Sequence, residues 1–246
     1  MPDPPGALLL DIEGTTTPVD FVTHVLFPYA REHVQDFLLR RASEVRDDLA
    51  RLFSEHEADE RGGQSPPPWR AGSPAETIDS ATAYVHWLMD RDRKSTALKA
   101  LQGRIWEEGY QAGHLRGQVH PDVPRAFARW RAQGRDLAIF SSGSVLAQKL
   151  LFSRSEAGDL TPFLRAYFDT TTGAKVQAES YRKIARALGQ APEAVLFLSD
   201  VTAELDAARC AGMFTALCVR AGNPPPSPDH SAVRSFDEVL PRPNNP

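Results

Sequence analysis

Cysteine is scarce: Cys210 and Cys218 are the two in 246 residues. Two cysteines build no disulfide framework, and without a Cys-x-x-Cys pair or a histidine cluster they suggest no zinc site. Both read as small buried apolar residues. Long apolar runs are missing as well. No stretch approaches the roughly 20 residues that cross a bilayer, and Met1-Pro2-Asp3-Pro4-Pro5 lacks the basic, then apolar, profile of a signal peptide. Nor is there a basic surplus. Lys and Arg number 28 against 32 Asp and Glu, a net charge of −4, whereas nucleic-acid binding leaves a basic footprint. What remains is 41% hydrophobic and 24% charged, ordinary for a globular chain long enough for one or two domains. The expectation is a soluble, cytoplasmic protein with no membrane or nucleic-acid partner.

Four short apolar runs each lead into a polar cluster. Ala7 to Leu10 stops at Asp11, Asp136 to Phe140 at Ser141, Ala194 to Leu198 at Ser199-Asp200, and Phe214 to Val219 precedes Gly222-Asn223-Pro224. Buried parallel strands have this pattern. Helical patterns alternate with them: Pro124 to Gln133, Val145 to Phe152, Tyr181 to Leu188 and Ala203 to Ala211. Three are followed by Gly134, Gly189 or Gly212, suited to a left-handed C-cap. The alternation predicts a doubly wound α/β core with its ligand crevice at the carboxyl ends of the strands.

Residues 21–118 break that rhythm. Phe21, Val25, Leu26, Tyr29, Val34, Phe37 and Leu38 recur at helical spacing, with Pro28 set to start, kink or interrupt the helix. Val45, Leu49, Leu52 and Phe53 form a second stripe, a Gly/Pro-rich loop runs from Arg61 to Gly72, and Ser73-Pro74-Ala75-Glu76 reads as a capping box. Ile78, Ala81, Val85, Leu88 and Met89 continue that helix, and Leu98, Leu101 and Ile105 mark a fourth. The predicted organisation is a core of residues 1–20 and 119–246 with an all-helical cap, 21–118, inserted after the first strand. The tail after Gly222 is proline-rich loop apart from an element near Ser235 to Leu240.

Chemistry concentrates where the strands stop. In Asp11-Ile12-Glu13-Gly14-Thr15-Thr16, residues two apart on an extended chain face one way, so Asp11 and Glu13 can address one ligand. A strand-end aspartate is a nucleophile for a phosphoryl group, and a second carboxylate can give and take the proton. Ser141-Ser142-Gly143-Ser144 offers hydroxyls and a helix N-terminus to an anion. Lys175 supplies a cation for phosphate, and Asp200, with Glu204 four residues on, can complete a cation site with Asp11. Each has a plainer reading by itself: an acidic pair in a solvated turn, a serine N-cap, a surface lysine, an aspartate N-cap. Their order decides, since acids, hydroxyls, lysine and acid follow successive strands. Oxygen ligands beside phosphate favour magnesium.

The four segments match the motifs of the haloacid dehalogenase superfamily, which this sequence resembles. Glu13 departs from that pattern, since the superfamily's phosphatases usually carry aspartate there. With it, Thr17-Pro18, Phe27-Pro28-Tyr29-Ala30, Lys94 to Gly103, Phe140 to Ser144, Lys175 to Tyr181 and Leu198 to Thr202 resemble the enolase-phosphatase (acireductone synthase) branch, from about residue 7 to about residue 226. The resemblance implies an aspartyl-phosphate on Asp11, magnesium held by Asp11, Glu13 and Asp200 with Glu204 nearby, acid/base work by Glu13, and phosphate held by Ser141, Ser142 and Lys175. It implies enolisation and dephosphorylation of 2,3-diketo-5-methylthiopentyl-1-phosphate in methionine salvage, by a monomer needing only Mg2+. Lys94 and Lys99 are candidates for substrate contact or plain helix lysines. The cap is expected to close over the strand ends, with Phe21, Tyr84 or Trp106 lining it or packing its core. A phosphatase of another small phosphomonoester, such as a sugar phosphate, is the alternative. A dehalogenase needs neither Glu13 nor Asp200, and a non-catalytic scaffold does not need the full reactive set.

Overall fold

A computed structural model describes residues 5–93, 95–221 and 229–240; Lys94, residues 222–228 and the extreme termini lie outside the described residues. The chain forms two compact units, one of residues 1–22 with 116–246 and the other of residues 23–115.

In the first unit, six strands among the described residues make one parallel sheet: β1 (Ala7–Leu10), β2 (Asp136–Phe140), β3 (Ala166–Phe168), β4 (Val195–Ser199), β5 (Phe214–Cys218) and β6 (Ala232–Val233). The order is β3-β2-β1-β4-β5-β6. β1 lies at the middle of the register, Leu10 opposite both Ile139 of β2 and Leu198 of β4. All four of its residues are fully buried, which is why the run carries no polar alternation. The order reverses direction at β1, the switch point beside which such sheets open a crevice.

The helices of this unit among the described residues are α1 (Val19–Phe21), α6 (Val123–Ala132), α7 (Val145–Ser153), α8 (Ala178–Leu188) and α9 (Thr202–Cys210). Tyr181, Ile184 and Leu188 of α8 and Leu205 and Ala208 of α9 pack with Leu9, Phe140 and Phe197 in one apolar cluster. Gly189 closes α8 in the left-handed conformation, φ 67°. Cys218 is buried, which pushes its thiol up to about 12, but Cys210 is exposed at the end of α9 and corrects the expectation that both are buried.

The second unit contains α2 (Phe27–Arg40), α3 (Arg46–Arg61), α4 (Pro74–Asp90) and α5 (Thr96–Gln111). Between α1 and α2 the chain winds as a π-helical turn, Val22–Leu26. Pro28 sits in the first turn of α2, where its missing N–H costs least. Ser73 caps α4, accepting from Glu76 N at 3.3 Å and donating to Glu76 Oε2 at 3.0 Å. Ser95 caps α5 through Leu98 N. Tyr84 and Trp106 are buried within this unit: Tyr84 donates to Asp59 Oδ2 at 2.8 Å and Trp106 to the Leu26 carbonyl at 2.8 Å. Phe21 is buried at the end of α1. Lys99 is half-buried on α5.

Candidate active site

β1 delivers Asp11 to the sheet's carboxyl end, where its N–H donates to the Leu198 carbonyl of β4 at 3.0 Å. The chain then turns sharply. The Ile12 carbonyl accepts from the N–H groups of Thr15, Thr16 and Thr17 at 3.2, 3.0 and 2.8 Å, and Gly14 N donates to Thr17 O at 2.9 Å. Gly14 has φ 65°, a left-handed conformation that a side chain resists. Thr16 Oγ1 donates back to the Asp11 carbonyl at 3.0 Å. Because this stretch is a turn and not an extended strand, Asp11 and Glu13 do not share a face by simple alternation. Asp11 is 4% exposed, while Glu13 is exposed and bridges to Thr17.

Three of the expected residues meet at Lys175. Its Nζ lies 2.7 Å from Asp11 Oδ1 and 2.7 Å from Glu204 Oε2. Burial by itself would push the ammonium down, but the two carboxylates outweigh it and raise the pKa. The loop that carries Lys175 is fixed by α8, since Ser180 Oγ donates to Ala174 O and Tyr181 Oη to Lys175 O, both at 2.7 Å. Gly173 makes this possible: it has φ 148°, and a Cβ there would overlap Ser180 Oγ.

Ser199, fully buried at the end of β4, ties the acids together. Its Oγ stands 3.1 Å from Asp11 Oδ2 and 3.0 Å from Glu204 Oε2, and accepts from Val201 N at 3.1 Å. One hydroxyl hydrogen cannot serve two carboxylates. Glu204 is pushed up to about 7, by burial first and then by the charge of Asp11, against the pull of Lys175. Asp200 is raised to about 6, again by burial and then by Asp11. Three acids thus share one ammonium, an excess of buried negative charge.

Ser141 follows β2 and is 5% exposed, its Oγ accepting from Gly143 N at 3.2 Å. The neighbouring helix begins where its apolar pattern does. α7 begins at Val145, capped by Ser144, whose Oγ accepts from Ala147 N at 3.3 Å; Ser142 is an exposed residue of the preceding loop. Sequence reasoning also missed Asp169, just after β3. It accepts from Val145 N at 3.3 Å and from Thr171 N at 2.9 Å, so part of the α7 N-terminus is already engaged by a carboxylate. An Asp-x-Thr turn signal is present, but a three-residue strand before it is not legible.

A parallel sheet that gathers an aspartate, a serine, a lysine and a further acid pair at its strand ends defines a class of enzyme. The chain belongs to the haloacid dehalogenase-like hydrolases, whose family model matches residues 5–212. Within that family it belongs with the enolase-phosphatases E1. It is 55% identical over 235 residues to the enolase-phosphatase E1 of Synechococcus elongatus, covering 94% of this chain and 96% of that one. To the enolase-phosphatase E1 of Klebsiella pneumoniae it is 47% identical over 237 residues, 96% of both chains. The crystal structure of the UTR4 protein of Saccharomyces cerevisiae is similar at a TM-score of 0.76 and 32% identity, covering 96% of this chain and 100% of that one.

Proposed function

We propose that this chain is a magnesium-dependent enolase-phosphatase, converting 2,3-diketo-5-methylthiopentyl-1-phosphate through its enol phosphate to the acireductone and phosphate in methionine salvage. The observation that carries the reading is the meeting of Asp11, Lys175, Ser199 and Glu204 at the ends of β1 and β4, in a chain that belongs with the enolase-phosphatases E1. Cytoplasmic residence, a monomeric state and the role of residues 21–118 as a cap are parts of the same proposal, taken over from the sequence resemblance.

Asp11 Oδ attacks phosphorus and forms an aspartyl-phosphate as the enol oxygen departs. Glu13, within the turn that follows Asp11, gives that oxygen its proton and later takes one from the water that cleaves the acyl phosphate. Lys175, with Ser141 and Ser142, binds the phosphate oxygens and favours the charge they carry in flight. Ser199 holds Asp11 through Oδ2 and so limits rotation of the nucleophile.

The residues fit a hard cation. Among the described residues no group of three or more His, Cys, Asp or Glu side chains could by itself hold a metal ion; the donors that the resemblance supplies, and that would hold it, are the Asp11 and Asp200 carboxylates and the Glu13 carbonyl. Magnesium commonly accepts such a partial set because it keeps several waters. Burial first, and then the charge of Asp11, raise the Asp200 carboxyl to about 6, and a cation beside both acids would offset the second of these. Bound magnesium would reduce repulsion between Asp11 and the phosphate and polarise the diketone.

The test is direct. Purified protein incubated with the diketo phosphate and Mg2+ should release phosphate and yield the acireductone, while Asp11→Asn should release none. A preference of orders of magnitude for a sugar phosphate, or undiminished release by Asp11→Asn, would overturn this reading.

A further inference from the structure

Arg220, two residues beyond β5, is an unexpected cation in the interior: it is 8% exposed. Its guanidinium reaches the turn that follows Asp11. Nε and Nη2 both donate to the Thr15 carbonyl, at 3.2 and 3.1 Å. Nη1 donates to Asp122 Oδ2 at 2.7 Å and to the Arg234 carbonyl at 3.2 Å. Asp122 Oδ2 in turn accepts from Ser235 Oγ at 3.1 Å and Phe236 N at 2.5 Å. The Phe236 ring lies under the guanidinium, 4.6 Å from its centroid to Cζ.

A buried ion pair is weak evidence for stability, because desolvating both charges offsets their attraction. Two guanidinium N–H groups aimed at one main-chain carbonyl are a geometric restraint instead. The carbonyl they hold is in the middle of the Ile12–Thr17 turn, whose threonines are all fully buried. The next carbonyl, Thr16, is held separately by His120 N at 2.9 Å. Two successive peptide groups of the turn are therefore pinned from outside it, by the segment at 120–122 and by Arg220. Glu13 belongs to the same turn, past the end of β1.

We propose that Arg220 is a positioning residue for the reaction, fixing the turn so that the carboxyl and carbonyl of Glu13 keep their place relative to Asp11. The proposal rests on the functional reading above, in which Glu13 is the acid/base. Misplacing a reacting group by about 1 Å costs on the order of 10²-fold in rate, so a clamp on this peptide controls turnover more than substrate affinity.

Arg220→Lys keeps a positive charge for Asp122 but replaces two directed donors with one ammonium; Arg220→Ala leaves room for a free guanidinium ion. With the diketo phosphate and Mg2+, both variants should lose about tenfold to hundredfold in kcat with KM changed less than about threefold. Added guanidinium should restore part of the kcat of Arg220→Ala and leave Arg220→Lys unaffected. If Arg220→Ala does not fold, Arg220→Lys decides alone through its split between kcat and KM. Folded variants that melt earlier yet turn over within about twofold of the parent would show a purely structural residue and overturn the proposal. Asp11→Asn is measured beside them. Phosphate release by the parent that does not depend on Asp11 overturns the functional reading and this proposal together, whereas Asp11-dependent release shared equally by the Arg220 variants overturns this proposal alone.

Discussion

Asp11 and Lys175 stand 2.7 Å apart, Oδ1 to Nζ, each nearly enclosed by protein. The same ammonium faces Glu204 at the same distance, so it is the counter-charge for two acids at once. Lys175→Met should therefore lower kcat by about 10²–10³, the scale for losing a preorganised charge partner. It should also destabilise the fold by about 3–5 kcal/mol, because it strands buried carboxylates. Phosphate-release kinetics and urea titration measure the two effects; a stable variant with parental kcat would contradict the assignment.

Metal should stabilise the protein as well as activate it. Chelation with EDTA should reduce phosphate release to that of Asp11→Asn, and Mg2+ should restore it. Titrating Mg2+ into Asp11→Asn should raise the melting temperature less than in the parent, since linkage scales with affinity for the folded state. Equal shifts in both would remove Asp11 from the metal site.

His120 gives a pH signature apart from catalysis. Its imidazole is pushed down to about 4, by burial first and then by the charge of Arg220, with Asp122 opposing. The unfolded chain, with a histidine pKa of about 6.5, then takes up a proton that the folded chain refuses. Stability from this residue is complete above about pH 6.5 and declines as the pH falls toward about 4. His120→Gln should flatten that decline in urea midpoints measured across the interval. Parallel slopes for parent and variant would refute it.

Gly173→Ala should combine left-handed strain with overlap against Ser180 Oγ and displace the loop that carries Lys175. A loss of about 2–5 kcal/mol is expected, strain and overlap together, accompanied by reduced kcat. Gly113→Ala is the comparison: φ is +75° there too, but the added Cβ meets nothing within 4 Å, so only about 1–2 kcal/mol of strain applies. The comparison is read by urea titration of both variants.

The strands that carry Asp11, Ser141 and Asp200 were legible because β1, β2 and β4 are buried on both faces and write themselves as unbroken apolar runs. β3 and β6 were not. They span three and two residues, are half-buried throughout, and exist by pairing with a sheet already formed. The π-helical turn at Val22–Leu26 was visible only as an ambiguity around Pro28. In the site, residues named by chemical type were foreseeable, whereas Ser199's grip on two acids depends on strand register and Arg220's on a carbonyl far away in sequence. Main-chain acceptors have no side-chain identity to read.

The position of β1 has a consequence for biosynthesis. It is made first, yet its neighbours on either side are β2 and β4, so the strand bearing the nucleophile leaves the ribosome without either hydrogen-bonding partner. All of α2 to α5 emerge before β2 does. Nascent chains halted short of Phe140 should therefore hold a helical bundle while their amino-terminal strand remains open to chaperones or proteases, and the hydrolytic centre matures late in translation.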